Sequence, residues 1–380
     1  MTREALVVGA GIGGLAAAVA LHAAGWTVTV LERRAELRPV GGGLTLAANA
    51  MAALDALGLA KSVREVGAPL RLGAIRTADG RRIVPPLGGP EGGVGVLRGE
   101  LQRILRAGAP GAELRTGRRA TDVQPGGARP RVILAGGGSC DADLVVAADG
   151  LRSALRGALH GRSEPRPAGA DAWRGVADHD AGPVAEERWG AGERFGFVPV
   201  GGGRTYWFAT VRHPAPPEPD DPVEAKAALI DRFAGWHPPV EALLAATRAE
   251  AIRRDPLHDR PPLPAPWGRG AVTLLGDAAH PMTPNLGQGA GQALEDAAAL
   301  GRHVAAAGDA SADDLAAALR AYESERATRV APIVRASRRF GTVAQVRDRR
   351  LAAARNALLR IVPAGLHRRA LRRVVERDAV

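Results

Sequence analysis

EALVVGAGIGGLAAAVALHAAGWTVTVLE, residues Glu4 to Glu32, decides the fold. The run to Gly9 is short and almost wholly apolar, as in a strand buried on both faces. Small residues follow, then an Ala-rich helix to about Ala24 and a second apolar strand from Trp26 to Leu31. Gly9, Gly11 and Gly14 form GxGxxG between strand and helix, with Gly13 in the same turn. Gly9 allows the tight turn, Gly11 lets backbone approach a pyrophosphate, and Gly14 lets helix and strand pack closely. The helix N-terminus adds oriented N–H groups and partial positive charge. Glu32 stands 18 residues after Gly14, where a carboxylate accepts from a ribose hydroxyl. The unit predicts a βαβ nucleotide site.

Two further loops sit at strand ends. DADLVVAADGLRSALR runs from Asp141 to Arg156, and LLGDAAHPMTPNLGQGAGQALEDA from Leu274 to Ala297. Alone, Asp149-Gly150 reads as a common turn and Asp277 as a helix cap. Their order after GAGIGG points instead to one site built from distant loops.

Between these loops the pattern predicts a helix over Ala47–Leu59 and a hairpin over Leu72–Val84 around ADGRR. It further predicts a helix over Leu97–Arg106, a small β-meander over Glu113–Leu134 and a buried strand over Asp143–Ala148. From about Gly169 to Pro266 the chain turns rich in Trp, Phe and Pro. FGFVPV and RTYWFATV read there as paired antiparallel strands, and Val223–Phe233 as a helix. The expected division is residues 1–71, 93–168 and 267–334 for a nucleotide-binding domain, and 169–266 for an inserted substrate domain. Residues 72–92 form a hairpin joining the inserted sheet, and 335–380 a C-terminal helical segment.

Hydrophobic residues make up 46% of the chain and charged ones 24%, ordinary for a globular protein. No apolar run long enough for a transmembrane helix occurs. The first strand begins at once, so no signal peptide is expected and a cytoplasmic location is. A single cysteine, Cys140, excludes an internal disulfide and a cysteine metal cage. The net charge of +11 is concentrated: Arg335 to Arg377 holds 13 Arg against Asp348 and Glu376, and the remainder balances. Phe340, Val343, Arg347, Leu351, Ala354, Leu358 and Ile361 recur at helical spacing, which predicts one amphipathic helix with an arginine-rich outer face, read as solvated, with an acidic partner or a membrane surface as the alternative. Neither nucleic acid nor a membrane is expected as partner.

GAGIGG, ADGLRSALR and LLGDAAHPMTPNLGQGAGQALEDA, in that order, resemble the class A flavoprotein monooxygenases of the para-hydroxybenzoate hydroxylase type. The likeness extends to GGGLTLAANAMAALDALGL, VLRGELQRIL, the WRG at Trp173 and the arginine-containing C-terminal segment. It looks closest to the branch of salicylate, 3-hydroxybenzoate and urate hydroxylases. It implies an α/β fold: a Rossmann-like FAD-binding domain of the glutathione reductase type, an inserted antiparallel-sheet substrate domain and a C-terminal helix. It implies FAD as cofactor, NADPH or NADH as transient co-substrate, and O₂ consumed through a C4a-hydroperoxyflavin. The expected reaction is hydroxylation of a small aromatic or electron-rich heterocycle by a monomer or homodimer. Epoxidation, Baeyer–Villiger insertion or flavin binding without oxygenation are the alternatives. No WxWxIP segment marks a halogenase, and the absence of a second GxGxxG suits a nicotinamide cofactor that binds transiently.

The resemblance also implies residue roles. Glu32 and Arg33 hold the adenosine end, with Val123 backbone flanking adenine. Gly43 and Leu44 join the cofactor contacts, Arg98 reaches the diphosphate or ribityl region, and Asp149 lies near the diphosphate. Asp277 accepts from ribityl hydroxyls, while Pro284, Leu286, Gly287, Gln288 and Gly289 run along the flavin ring; His280 belongs to the turn and is not expected to be catalytic. Trp173, Arg174, Phe195, Phe197, Phe208 and Asn285 are the expected pocket, with Arg194 and Tyr206 as its polar contacts. Arg194 also reads as a surface charge and Tyr206 as an ordinary strand residue. Relatives of the urate type carry Asp near the position of Asn285, and an amide is no general base.

Overall fold

A computed structural model describes residues 3–37, 42–87, 92–126, 129–213, 219, 221–308 and 311–375. Residues 88–91 of the expected hairpin segment, Gly41 of GGGLTL, and Glu376 to Val380 lie outside the described residues.

The strand Glu4–Val8 is the centre of a five-stranded sheet. It pairs in parallel with Thr27–Leu31 on one side and Leu144–Ala147 on the other. Val272–Leu274 extends the sheet beyond Leu144–Ala147, and Glu113–Arg115 beyond Thr27–Leu31, both in parallel. Leu6, Val7, Val28, Val30 and Val145 are all buried, as strands covered on both faces require. The chain therefore leaves this sheet after Leu144–Ala147 and returns to its edge more than a hundred residues later. Glu113–Arg115 belongs here rather than to the expected meander. The smaller antiparallel sheet consists of Ala120–Gln124, Arg131–Leu134 and Ser139–Asp141.

The second sheet has seven strands, in the order Arg253–Asp259, Arg166–Ala177, Thr205–Arg212, Glu193–Pro199, Ala185–Trp189, Leu72–Thr77 and Arg82–Val84. Glu193–Pro199 and Thr205–Arg212 pair antiparallel across a glycine turn. Leu72–Thr77, from early in the chain, pairs in parallel with Ala185–Trp189 and stitches the sheet to the first domain.

The expected helix at Ala47–Leu59 is Ala48–Ala56; Gly58, at a φ of +74°, turns the chain, and a further helix, Ala60–Val66, follows. The C-terminal expectation needs a larger correction. Phe340 and Val343 end a 33-residue helix, Ala312–Ala344, and two further helices follow, Arg349–Ile361 and Ala364–Val375. Asp348 causes the break: its carboxylate accepts from the backbone N–H of Arg350 and Leu351 at 2.9 Å each and starts a new helix.

Candidate active site

Glycine is forced at two positions of the first loop. Gly9 has a φ of +109°, and a Cβ there would lie 2.4 Å from the Ala148 carbonyl oxygen. A Cβ on Gly14 would lie 1.8 Å from the oxygen of Gly9, so only glycine lets the helix Ile12–Ala23 settle on its strand. By contrast, a Cβ on Gly11 meets nothing within 4 Å: its backbone borders open space. Glu32 closes the loop, accepting from Ala10 N–H at 3.0 Å and Arg34 N–H at 2.9 Å, while Gln102 donates to the Ala10 carbonyl at 3.0 Å. Arg33 is exposed beside Glu32, and Val123 lies in the strand Ala120–Gln124 with its side chain in the core.

The second loop meets the first through small residues. A Cβ on Gly13 would lie 2.7 Å from Leu275 and 3.2 Å from the Cβ of Ala293, and one on Gly301 would lie 2.9 Å from the Cβ of Ala20. Contacts of 13 with 293 and of 20 with 301 mean that the helices Ile12–Ala23 and Gly289–Ala307 run side by side in the same direction. Both N-termini, with their unpaired N–H groups and positive dipole ends, therefore lie at one end. A Cβ on Gly289 also meets nothing within 4 Å, so the second N-terminus borders open space as well. This arrangement fits a dinucleotide with a diphosphate at its middle.

Asp277 and Arg98 are solvent-accessible although protein surrounds them, the position of groups on the walls of a cleft. The surrounding protein raises the Asp277 pKa, opposed by His280 and Arg98. It lowers that of Arg98, opposed by Asp277. Gly287, at a φ of +64°, comes so close to Thr45 that a Cβ would lie 2.5 Å from its hydroxyl. Gly43 begins the strand Gly43–Leu46, where Leu44 is half-buried, and lies under Tyr206: a Cβ on it would lie 2.6 Å from the tyrosine Cβ.

The second loop is held from below by buried polar groups. Asn49 donates to Gln288 at 2.9 Å and to Glu295 at 2.6 Å. Arg326 donates to Asp296 at 2.7 Å, Glu295 at 2.8 Å and Gln292 at 2.8 Å. Asp296 in turn accepts from Gly276 N–H at 2.8 Å and from His280 Nε2 at 2.6 Å. Burial alone would raise the Asp296 pKa, yet His280 and Arg326 hold it at about 2, so it is an anion and His280 Nε2 carries the proton. Arg156 ties the middle loop to this one, donating to the carbonyls of Ala278 at 3.1 Å and Ala279 at 2.7 Å. Burial, and then the neighbouring Arg260, lowers its pKa to about 10. Asp149 caps its own loop, accepting from Ser153 Oγ at 2.5 Å and Ala154 N–H at 2.8 Å, with its backbone against Gly9. Its carboxylate is thus committed locally. Sequence reasoning missed Arg156, Arg326 and Asn49; only an arginine inside ADGLRSALR hinted at the first.

The seven-stranded sheet divides the expected pocket residues by face. Directly paired residues share a face, and Arg174, Phe208, Gly196 and Glu187 lie opposite one another in register. Arg194 and Tyr206, two residues along, belong to the same face. Arg174 donates to Asp255 at 2.7 Å. Burial raises the Tyr206 pKa, with Arg174 opposing. Arg194 is only 1% exposed. Its Nε and Nη2 donate to Glu187 at 3.1 and 3.0 Å, and its Nη1 donates to Asn285 at 2.9 Å. Its guanidinium lies 5.8 Å from the ring centroid of Phe208 and 5.3 Å from that of Phe340. Asn285 spends its amide hydrogens on Thr283 Oγ1 at 2.9 Å and the Ser337 carbonyl at 3.1 Å. It is a bridge between loop, sheet and the long helix.

Trp173, Phe195 and Phe197 must be removed from the pocket. They alternate with Arg174, Arg194 and Gly196 and therefore point to the other face. There they pack with Trp207, Leu229, Phe233, Leu243 and Leu244 in a separate core beneath the helices Pro222–Arg232 and Val240–Ala245.

Residues 2–337 match the family described as FAD binding domain. The chain is 40% identical to the aurachin C monooxygenase/isomerase of Stigmatella aurantiaca, over 90% of this chain and 89% of that one. It is 36% identical to the FAD-dependent urate hydroxylase of Klebsiella pneumoniae, over 92% of each. The crystal structure of K. pneumoniae HpxO complexed with FAD and uric acid superposes with a TM-score of 0.87 at 33% identity, covering 98% of this chain and 96% of that one. With its glycine loops, paired helix N-termini and inserted sheet, the chain belongs to this FAD-binding-domain family and is a flavin-dependent monooxygenase of the class A aromatic-hydroxylase fold.

Proposed function

We propose that this chain hydroxylates a small, uncharged aromatic or heterocyclic substrate with O₂, held between the Pro284–Gly289 loop and the Arg174, Arg194, Tyr206 and Phe208 face of the sheet. FAD, reduced by NADH or NADPH, supplies the oxygen-activating chemistry when bound. Gly11 and the N-terminus of Ile12–Ala23 would take the diphosphate, Asp277 the ribityl hydroxyls, and the backbone of Gly287 to Gly289, at the N-terminus of the second helix, the flavin ring.

The observation that carries the substrate class is the pairing of Arg194 with Glu187. Its positive charge is already met by a carboxylate on the neighbouring strand, so an anionic substrate gains little there. With only 1% of its surface exposed, Arg194 stiffens the wall from within, its guanidinium between the rings of Phe208 and Phe340. The face it supports presents aromatic surface rather than a free cation, which suits a neutral heterocycle. Asn285 supplies no base, since an amide does not take a proton near neutral pH and its hydrogens are already donated. The substrate must therefore be nucleophilic without deprotonation at this point, as an indole, an enamine or an electron-rich heterocycle is. The aurachin C and urate relatives are in keeping with a heterocyclic substrate.

The test is NAD(P)H oxidation by the FAD-loaded enzyme, with product mass, across neutral bicyclic heterocycles and carboxylated aromatics such as salicylate. Neutral compounds should gain one oxygen atom. Turnover confined to carboxylates would overturn the substrate class, and NAD(P)H consumption without oxygenated product across the whole panel would overturn the oxygenation.

A further inference from the structure

The helix Arg349–Ile361 turns an unexpected side outward. Ala352 and Arg355 are buried, and Leu359 packs with Ile83, Val84 and Trp189. Arg355 locks this side by donating to the Ala344 carbonyl at 2.7 Å, with its guanidinium 5.0 Å from the ring centroid of Trp189. Leu351, Ala354, Leu358 and Ile361 fall at i, i+3, i+7 and i+10, a single stripe on the opposite side. That stripe faces solvent, with Leu351 and Leu358 each 62% exposed and Ile361 76%. Of the six large apolar side chains exposed among the described residues, five lie between Val343 and Leu366, so the feature is local.

Charge narrows what covers it. From Arg347 to Arg373, eight arginines are exposed and Asp348 is the only acid. A second copy docking through the same stripe would bring two such clusters together, and their repulsion opposes it. An anionic surface has the complementary charge. A solvated helix has no use for three exposed Leu and Ile side chains, whereas a helix lying in a lipid interface places apolar residues at the acyl boundary and guanidinium groups among the headgroups.

We propose that the C-terminal helices attach this enzyme to the surface of a bilayer rich in anionic lipid, with Leu351, Leu358 and Ile361 buried at the interface. The attachment lies in the plane of one leaflet; no helix among the described residues is long and apolar enough to cross a membrane.

Flotation of the full FAD-loaded chain tests this, using vesicles of phosphatidylcholine alone or with about 30% phosphatidylglycerol. The chain should float with the anionic vesicles only, and less as NaCl rises from about 0.1 to about 0.5 M. Replacing the stripe, L351Q/L358Q/I361Q, should lower partitioning roughly tenfold or more, and R349Q/R350Q/R368Q/R369Q should do the same. Flavin content and NAD(P)H oxidation should stay unchanged in both. No flotation of the parent chain overturns the proposal. So does undiminished flotation of the glutamine-stripe variant, which would mean charge alone binds. A lipid-free dimer in sedimentation that the stripe variant abolishes would assign the stripe to a second copy instead.

Discussion

The two faces of the seven-stranded sheet come from the same strands and differ in what fills their centres. On the back, Phe195 stacks on Trp207 at 5.4 Å and meets Phe233 edge-on at 5.5 Å, and Trp207 Nε1 donates to Thr247 Oγ1 at 2.8 Å. On the front, Arg174 pairs with Asp255, Arg194 with Glu187 and Asn285, and Tyr206 lies against glycine backbone. The back is an aromatic core that secures the sheet, with the guanidinium groups of Arg188 and Arg254 lying 5.2 and 4.9 Å from the ring centroids of Phe197 and Trp173. The front is a polar wall held rigid by that core. The difference teaches that an aromatic residue in this domain takes its role from its parity along the strand, not from its type.

The largest effect should come from the back. Trp207→Ala should cost about 3–5 kcal/mol of stability, read as a lowered thermal or urea midpoint. Phe208→Ala, one residue along and half-buried, should cost far less; equal losses would erase the distinction between the faces.

On the front, Arg194→Ala should lower kcat/KM roughly 100-fold while FAD content stays normal, because Asn285 and the aromatic wall lose their common anchor. Phe195→Leu, its back-face neighbour, should leave kcat/KM nearly unchanged once stability is allowed for. A reversed pattern would put the substrate on the other side of the sheet.

Asn285→Asp sharpens the front further. The carboxylate would gain Arg194 but face the Ser337 carbonyl with no hydrogen to offer, costing about 1–3 kcal/mol before that gain. Turnover should not rise; a several-fold increase would show that the site wants a base there. The smallest effect is expected at Tyr206. Burial raises its pKa, so it stays a neutral hydroxyl, and the rate between about pH 6 and pH 9 should show no inflection from it. Tyr206→Phe should keep the shape of that profile, and a change of shape would make the phenol a proton carrier.

Much of the cofactor site was legible because its demands are local. Gly9 and Gly14 are required by contacts within one βαβ unit, and Glu32 closes its own loop, so spacing alone revealed them. The partners that join the loops were not legible: Arg156, Arg326 and Asn49 reach across 122, 31 and 246 residues to Ala278, Glu295 and Glu295.

The sequence by itself determined the secondary structure period, the glycine loops, the inserted sheet and membership of a flavin family. Only the tertiary structure decided which side of each period faces what. A strand's period of two says that Trp173, Phe195 and Phe197 share no face with Arg174 and Arg194, but both faces of this sheet are covered, so hydrophobicity did not mark the one toward the cofactor. The same holds for the C-terminal helix. Spacing of Leu351, Leu358 and Ile361 is identical whether the stripe points in or out, and the buried side was claimed by Ala352, Arg355 and Leu359 because Trp189 and the Ala344 carbonyl stand there to receive them.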